Sequence, residues 1–208
     1  FVEPGETPEQ AALRELPGAL RAGKAGADNV DGVAHRVLLI IRAGYNRFMS
    51  DDKPLRDHLL SLLKDGHAHA GFDPTVADLA PEHRGVRPPG APHSAWQLLE
   101  HLRLAQSDIL EFSRDPKHVS PKWPEGYWPK DPAPPNEKAW DESVAAFRRD
   151  SQALQDLVAD PKGDLYTPFP WGKGQTLLRE ALLAADHNSY HLGQLVLVRR
   201  LLGAWKEE

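Results

Sequence analysis

Apolar residues recur at helical spacing in four stretches of the chain, and no segment alternates in the manner of a strand. The first stretch, residues 54–68, points Leu55, Leu59, Leu60, Leu62 and Leu63 inward, with Pro54 suited to its first turn. In the second, residues 94–113, Ser94 with Gln97 three positions on makes a capping box. Leu98, Leu99, Leu102, Ala105, Ile109 and Phe112 then mark one face. The third starts at Asn136 as N-cap, spaces Trp140, Val144, Phe147, Leu154 and Val158, and stops before Pro161-Lys162-Gly163. The fourth, residues 176–202, is the longest and most apolar, and Gly203 closes it. A further short turn of helix is predicted at residues 74–79, with Asp73 as its cap.

Between the second and third stretches, residues 115–135 contain seven prolines, which exclude a helix or a central strand. Trp123, Tyr127 and Trp128 in the same segment argue for an ordered loop, because disordered segments are poor in aromatics. The expectation is an all-α four-helix bundle with this Pro/Trp-rich loop packed across one end.

Composition narrows the function. The 208 residues carry 25 basic and 30 acidic side chains, a net charge of −5 that gives no reason to expect nucleic acid as a partner. There is no cysteine, so disulfides, thiolate metal sites and cysteine nucleophiles are excluded. The longest apolar run, residues 37–41, is far short of the roughly 20 residues that cross a bilayer, and residues 1–48 lack the layout of a secretory signal. A cytoplasmic protein without membrane partners is expected.

The single methionine is Met49, all six tryptophans lie at Trp96 or beyond, and the net charge resides entirely after residue 48. Residues 1–48 are therefore read as an upstream extension, and residues 49–208 as the functional domain. Within the extension, Gly5 through Leu16 are similar to the middle of a Nudix box. Pro17-Gly18 would stop its helix and the ligand set is incomplete, so a decayed or frame-shifted neighbour is the simpler reading.

Ten histidines are the remaining source of chemistry. Only His187 and His191 have i,i+4 spacing on one predicted helix, which places their rings about 40° apart around the axis and about 6 Å along it. Both can reach one ion at roughly 2.0–2.1 Å. Chance produces such pairs often at this histidine content, so the neighbourhood matters more. The pair lies within an apolar helix, where two unpartnered rings cost roughly 1–3 kcal/mol each. His101, mid-helix among Leu98, Leu102 and Ala105, could meet them across a helix interface or be a core histidine hydrogen-bonded to a neighbour. Glu180 and Gln194, seven residues either side of His187, share its face. Glu180 is the acid there and the candidate general base, with Asp108 competing for that role. Glu100 and Asp186 adjoin histidines in sequence but point about 100° away, as outer partners or surface charges. Asn188 and Tyr190 fit packing as well as substrate contact, and Trp123, Tyr127 and Trp128 either roof the pocket or anchor their loop. The His67–His69 pair reads as incidental, and Arg199-Arg200 as complements to the helix dipole.

Trp96-Gln97-Leu98-Leu99-Glu100-His101-Leu102 together with Asp186-His187-Asn188-Ser189-Tyr190-His191-Leu192-Gly193-Gln194 resembles the DinB-like (DinB/YfiT) superfamily. Leu55-Arg56-Asp57-His58-Leu59-Leu60 and the Pro/Trp-rich loop resemble one bacterial branch of it. The resemblance covers residues 49–208. It implies a four-helix bundle that binds zinc or nickel through His101, His187 and His191, with a homodimer as a common assembly. Characterised relatives include thiol-dependent transferases and isomerases. A metal-dependent enzyme acting on a small molecule, either a low-molecular-weight thiol transferase or a hydrolase, is therefore expected. The alternatives are a non-catalytic metal-binding or stress-related bundle acting through a partner, and a structural bundle whose histidines are merely hydrogen-bonded.

Overall fold

A computed structural model describes residues 52–65 and 68–206; the readings made for residues 1–48, Met49 and His67 lie outside the described residues. Lys53–Glu208 form one compact unit. Its helices are α1 (Lys53–Asp65), α2 (Phe72–Val76), α3 (Pro81–Arg84), α4 (Ala95–Arg114), α5 (Ala139–Ala159) and α6 (Leu177–Leu201), with a 3-10 turn at Glu125–Tyr127. No strand occurs among the described residues, and no helix among them is long and apolar enough to cross a membrane.

The capping box at Ser94 acts as read, and the second site-bearing helix has a cap that was not anticipated. The Ser94 side chain accepts from the Gln97 amide while the Gln97 side chain accepts from the Ser94 amide, and the Thr176 hydroxyl accepts from the Arg179 amide. Gly203, at φ +68°, closes α6 in the left-handed region. Other boundaries moved. Asn136 accepts from the amides of Lys138 and Ala139 in a turn that precedes α5, so the helix begins at Ala139 instead of beside its expected cap. The described part of α1 is Lys53–Asp65, Ala68 lies outside it, and Leu62 is 48 % exposed where an inward position was expected. Asp73 does not cap the short helix; it lies inside α2 and pairs with Arg148 of α5. α3 was not anticipated.

Core composition sets the helix directions. One apolar cluster joins Trp96 and Leu99 near the start of α4, Trp140 and Val144 near the start of α5, and Leu195 and Val198 near the end of α6. A second joins Ile109 and Leu110, Leu154 and Val158, and Leu177 and Ala181, together with Leu59 of α1. Thus α4 and α5 run parallel and α6 runs against both. Two parallel helices of 20 and 21 residues, each about 30 Å long, require the connecting chain to travel back along the bundle. The expectation of a loop across one end is corrected accordingly. From His118 to Pro132 it follows α4 backwards, meeting Asp108, His101, Gln97 and Ser94 in turn.

Two buried arginines tie ends together. Arg56 of α1 is 5 % exposed and donates to the carbonyls of Val158, Asp160 and Gly163 at the C-terminal end of α5. Arg199 was expected to act on the helix dipole from the surface. It is instead 4 % exposed and donates to the carbonyls of Thr75 and Ala204, fastening α2 to the end of α6. A charged side chain buried this far persists because its donors are used by carbonyls that have no helical partner.

Candidate metal centre

Between the two apolar clusters, α4 and α6 turn three imidazoles toward one point. His101 is 2 % exposed and His191 8 %, while His187 is partly buried. The His101 Nε2 lies 3.0 Å from that of His187 and 3.1 Å from that of His191. These three are the histidines whose ligand atoms, one from each, all fall within 4.8 Å of one another.

The outer nitrogens decide which protons are present. His101 Nδ1 lies 3.0 Å from the Tyr127 carbonyl, and His191 Nδ1 lies 2.8 Å from Gln194 Oε1. Both oxygens can only accept, so both Nδ1 atoms carry the proton and both Nε2 atoms present lone pairs. Burial reinforces this. It drives the His101 and His191 pKa values from 6.5 down to about 4, with mutual repulsion between the rings contributing, and it lowers that of His187 as well. The His101 and His191 rings therefore face one another lone pair to lone pair at 3.1 Å, which is repulsive unless a proton or a cation lies between them. That donor set fits a divalent ion: nitrogen ligands, deprotonated at neutral pH, with Tyr127 and Gln194 as orienting partners. The Nδ1 of His187 is buried without a hydrogen-bond partner.

The crossover loop closes one side. Trp128 stacks on His101 with centroids 3.8 Å apart and planes 8° apart, and His93 stacks on Trp128 at 3.9 Å. Tyr127 is buried and Trp123 is 69 % exposed, so the first two cover the site and the third does not.

The remaining predicted residues distribute as follows. Gln194 meets His191 directly. Glu180 is 2 % exposed and pairs with Arg179 at 2.7 Å, two helical turns or about 10 Å below His187. Burial raises its pKa against the opposing pull of that arginine. Asp108 is occupied by His118 at 2.7 Å and by the Tyr127 hydroxyl at 2.6 Å, which removes it as a free base. Glu100 bonds Arg103 and Ser143, and Asp186 is exposed. Asn188 donates to Gln106, and Tyr190 is 64 % exposed. His69 is exposed and meets Ser189.

Fold and site define an all-helical protein with a buried three-histidine cluster able to hold a metal ion. The chain belongs to the DinB superfamily: the model of that family matches residues 66–195. No curated protein and no solved structure gives a match.

Sequence reasoning passed over His93 and the roles of two backbone or outer groups. The Tyr127 carbonyl carries no side-chain signal at all. His93 lies outside every predicted helix, and only the aromatic pair Tyr127-Trp128 hinted that the loop reaches the site.

Proposed function

We propose that this protein is a divalent-metal-dependent enzyme, a four-helix bundle holding zinc or nickel on His101, His187 and His191. In this reading it transfers a low-molecular-weight thiol or hydrolyses a small substrate. The observation that carries the reading is the convergence of three Nε2 atoms at 3.0 and 3.1 Å, with the opposite nitrogens of His101 and His191 committed as donors. When bound, a divalent ion supplies positive charge that favours the deprotonated form of water or of a thiol. Three neutral imidazoles leave that charge uncompensated, and with no cysteine in the chain any sulfur must come from a cosubstrate. Tyr127 and Gln194 orient two of the rings, and Trp128 excludes water from the face of His101. Beside Gln194 and His93 lies a cavity of about 260 Å³ walled by Leu98, Leu197, Val198 and Leu201, suited to a small apolar group. Glu180 is the acid left on the His187 face and is proposed to exchange protons there through intervening water.

The deep burial of His101 and His191 under Trp128 favours a second reading, a metal-binding protein without turnover. Metal analysis of the purified protein, followed by turnover assays with small thiols and a model electrophile and with an activated ester, separates the two. A metal-dependent rate that falls at least tenfold in Glu180→Gln at unchanged metal content supports the enzyme and its base. A full rate in that variant removes Glu180 from the mechanism. Retained metal with no rate in any assay supports the binder.

The depressed ring pKa values set a pH signature. Protons compete poorly for rings that titrate near 4, so zinc affinity measured by chelator competition is expected to stay flat between about pH 8 and 6. A tenfold loss by pH 6 would contradict the buried neutral site. The metal-free fold behaves conversely to a salt-bridged histidine. The unfolded chain takes up protons near 6.5 and the folded rings only near 4, so stability is full above 6.5 and declines as pH falls towards 4.

A further inference from the structure

We infer that Asp108 is a positioning residue of the three-histidine centre, acting through Tyr127 to fix the orientation and tautomer of His101. Asp108 and His101 lie seven residues apart, two turns along one face of α4. The Asp108 Oδ2 accepts the Tyr127 hydroxyl at 2.6 Å, and the Tyr127 carbonyl accepts His101 Nδ1–H at 3.0 Å. Helix, carboxylate, phenol, backbone and imidazole therefore form a closed ring of contacts in which α4 supplies both the ligand and the anchor for the group that orients it. A carboxylate accepting a phenol proton makes a short, charge-assisted bond, stronger than a neutral pair. The other carboxylate oxygen is held by His118, from the start of the same loop, so Asp108 grips the crossover at two points.

What Asp108 grips is what touches His101. Tyr127 meets the ring edge and its neighbour Trp128 meets the ring face. Between the two grip points the loop folds tightly: a Cβ at Gly126 would lie 2.7 Å from the Pro121 Cβ. The Tyr127 hydroxyl also meets Ser120 of the same loop, so the bond to Asp108 is the one that ties this side chain to α4. Gln97, which bonds the Pro129 carbonyl, acts two residues downstream.

The inference rests on the metal reading only for its effect on affinity. The tautomer of His101 exists without an ion, and the experiment uses that. Long-range 1H–15N correlation spectra of the full-length, chelator-treated protein report which imidazole nitrogen of each histidine is protonated. Wild type is expected to show His101 as a single Nδ1–H form. Tyr127→Phe, which keeps the ring and the carbonyl but removes the grip, is expected to show a mixture of forms. Asp108→Asn should have a smaller effect, and the double variant should be no worse than Tyr127→Phe, because the two residues act in series. Cobalt(II), as the metal probe, should bind Tyr127→Phe about 10–100-fold more weakly, with a shifted visible spectrum. A His101 signal that stays in one Nδ1–H form in folded Tyr127→Phe and Asp108→Asn overturns the inference, whatever the metal does. If the tautomer changes while wild type takes up no cobalt, the positioning role stands and the metal reading falls.

Discussion

Replacing His101 by alanine is expected to abolish divalent-metal binding while leaving the helices folded. His187 and His191 alone are an i,i+4 pair on one helix, and in the proposed site His101 is the donor contributed by α4. Loss of an outer partner to a metal ligand typically costs 10–100-fold in affinity, and loss of the ligand itself costs more. Stability separates this outcome from simple unfolding. In the metal-free protein the variant loses a buried ring and its bond to Tyr127, yet it also relieves the lone-pair contact with His191 at 3.1 Å. These effects oppose each other at about 1–3 kcal/mol apiece, so the melting temperature in chelator should change by only a few degrees. Zinc at about 100 times its dissociation constant adds about 2.7 kcal/mol to wild type, roughly 5–10 °C in a unit of this size, and should add nothing to the variant. Equal zinc-induced shifts in both proteins would show that the ion, if bound, sits elsewhere.

The second large effect lies far from the histidines. Arg56→Ala is expected to destabilise the protein by about 3–5 kcal/mol, lowering the melting temperature by roughly 10 °C. The guanidinium donates to three carbonyls at 2.6, 2.9 and 2.6 Å around the end of α5, where helix geometry leaves carbonyls without partners and the dipole is negative. Removing it takes the donor from the buried Val158 carbonyl, leaves the Asp160 carbonyl with the Gly163 amide alone, and removes a polar tie between α1 and the end of α5. Arg56→Lys should recover only part of the loss, since an ammonium keeps the charge but not the planar fork. A melting temperature within a couple of degrees of wild type in Arg56→Ala would mean that water replaces the guanidinium at no cost.

Arg56 also shows where sequence reading stops. It stood in the sequence as one member of a family-like stretch, exposed by the usual prior for arginine, and nothing local says that three carbonyls about a hundred residues away require it. Arg199 is the same case: a basic residue near a helix C-terminus satisfies a local rule, and that rule concealed a buried tie to Thr75. Asp108 was read as a rival base because helical spacing put it on the His101 face. The face was right, but its two oxygens were already taken by residues of a loop whose path no spacing rule describes. Leu62 failed for another reason. Apolar rhythm marks a helix face without saying where the neighbouring helix ends, and Leu62 is left exposed.

What the chain by itself determined is local and periodic: the capped helix at Ser94, the closing Gly203, the i,i+4 histidine pair, and the absence of any thiolate ligand. These depend on side chains within a few positions of one another, where helix geometry alone fixes distances. What only the tertiary structure decided are contacts between segments that share no periodicity. The parallel course of α4 and α5 forces the Pro/Trp-rich loop to return along α4, and that return lays the Tyr127 carbonyl and the Trp128 ring on His101. The His187–His191 pair follows from helical periodicity, whereas its meeting with His101, and the tautomer and burial of the rings, follow from the direction in which two helices pack.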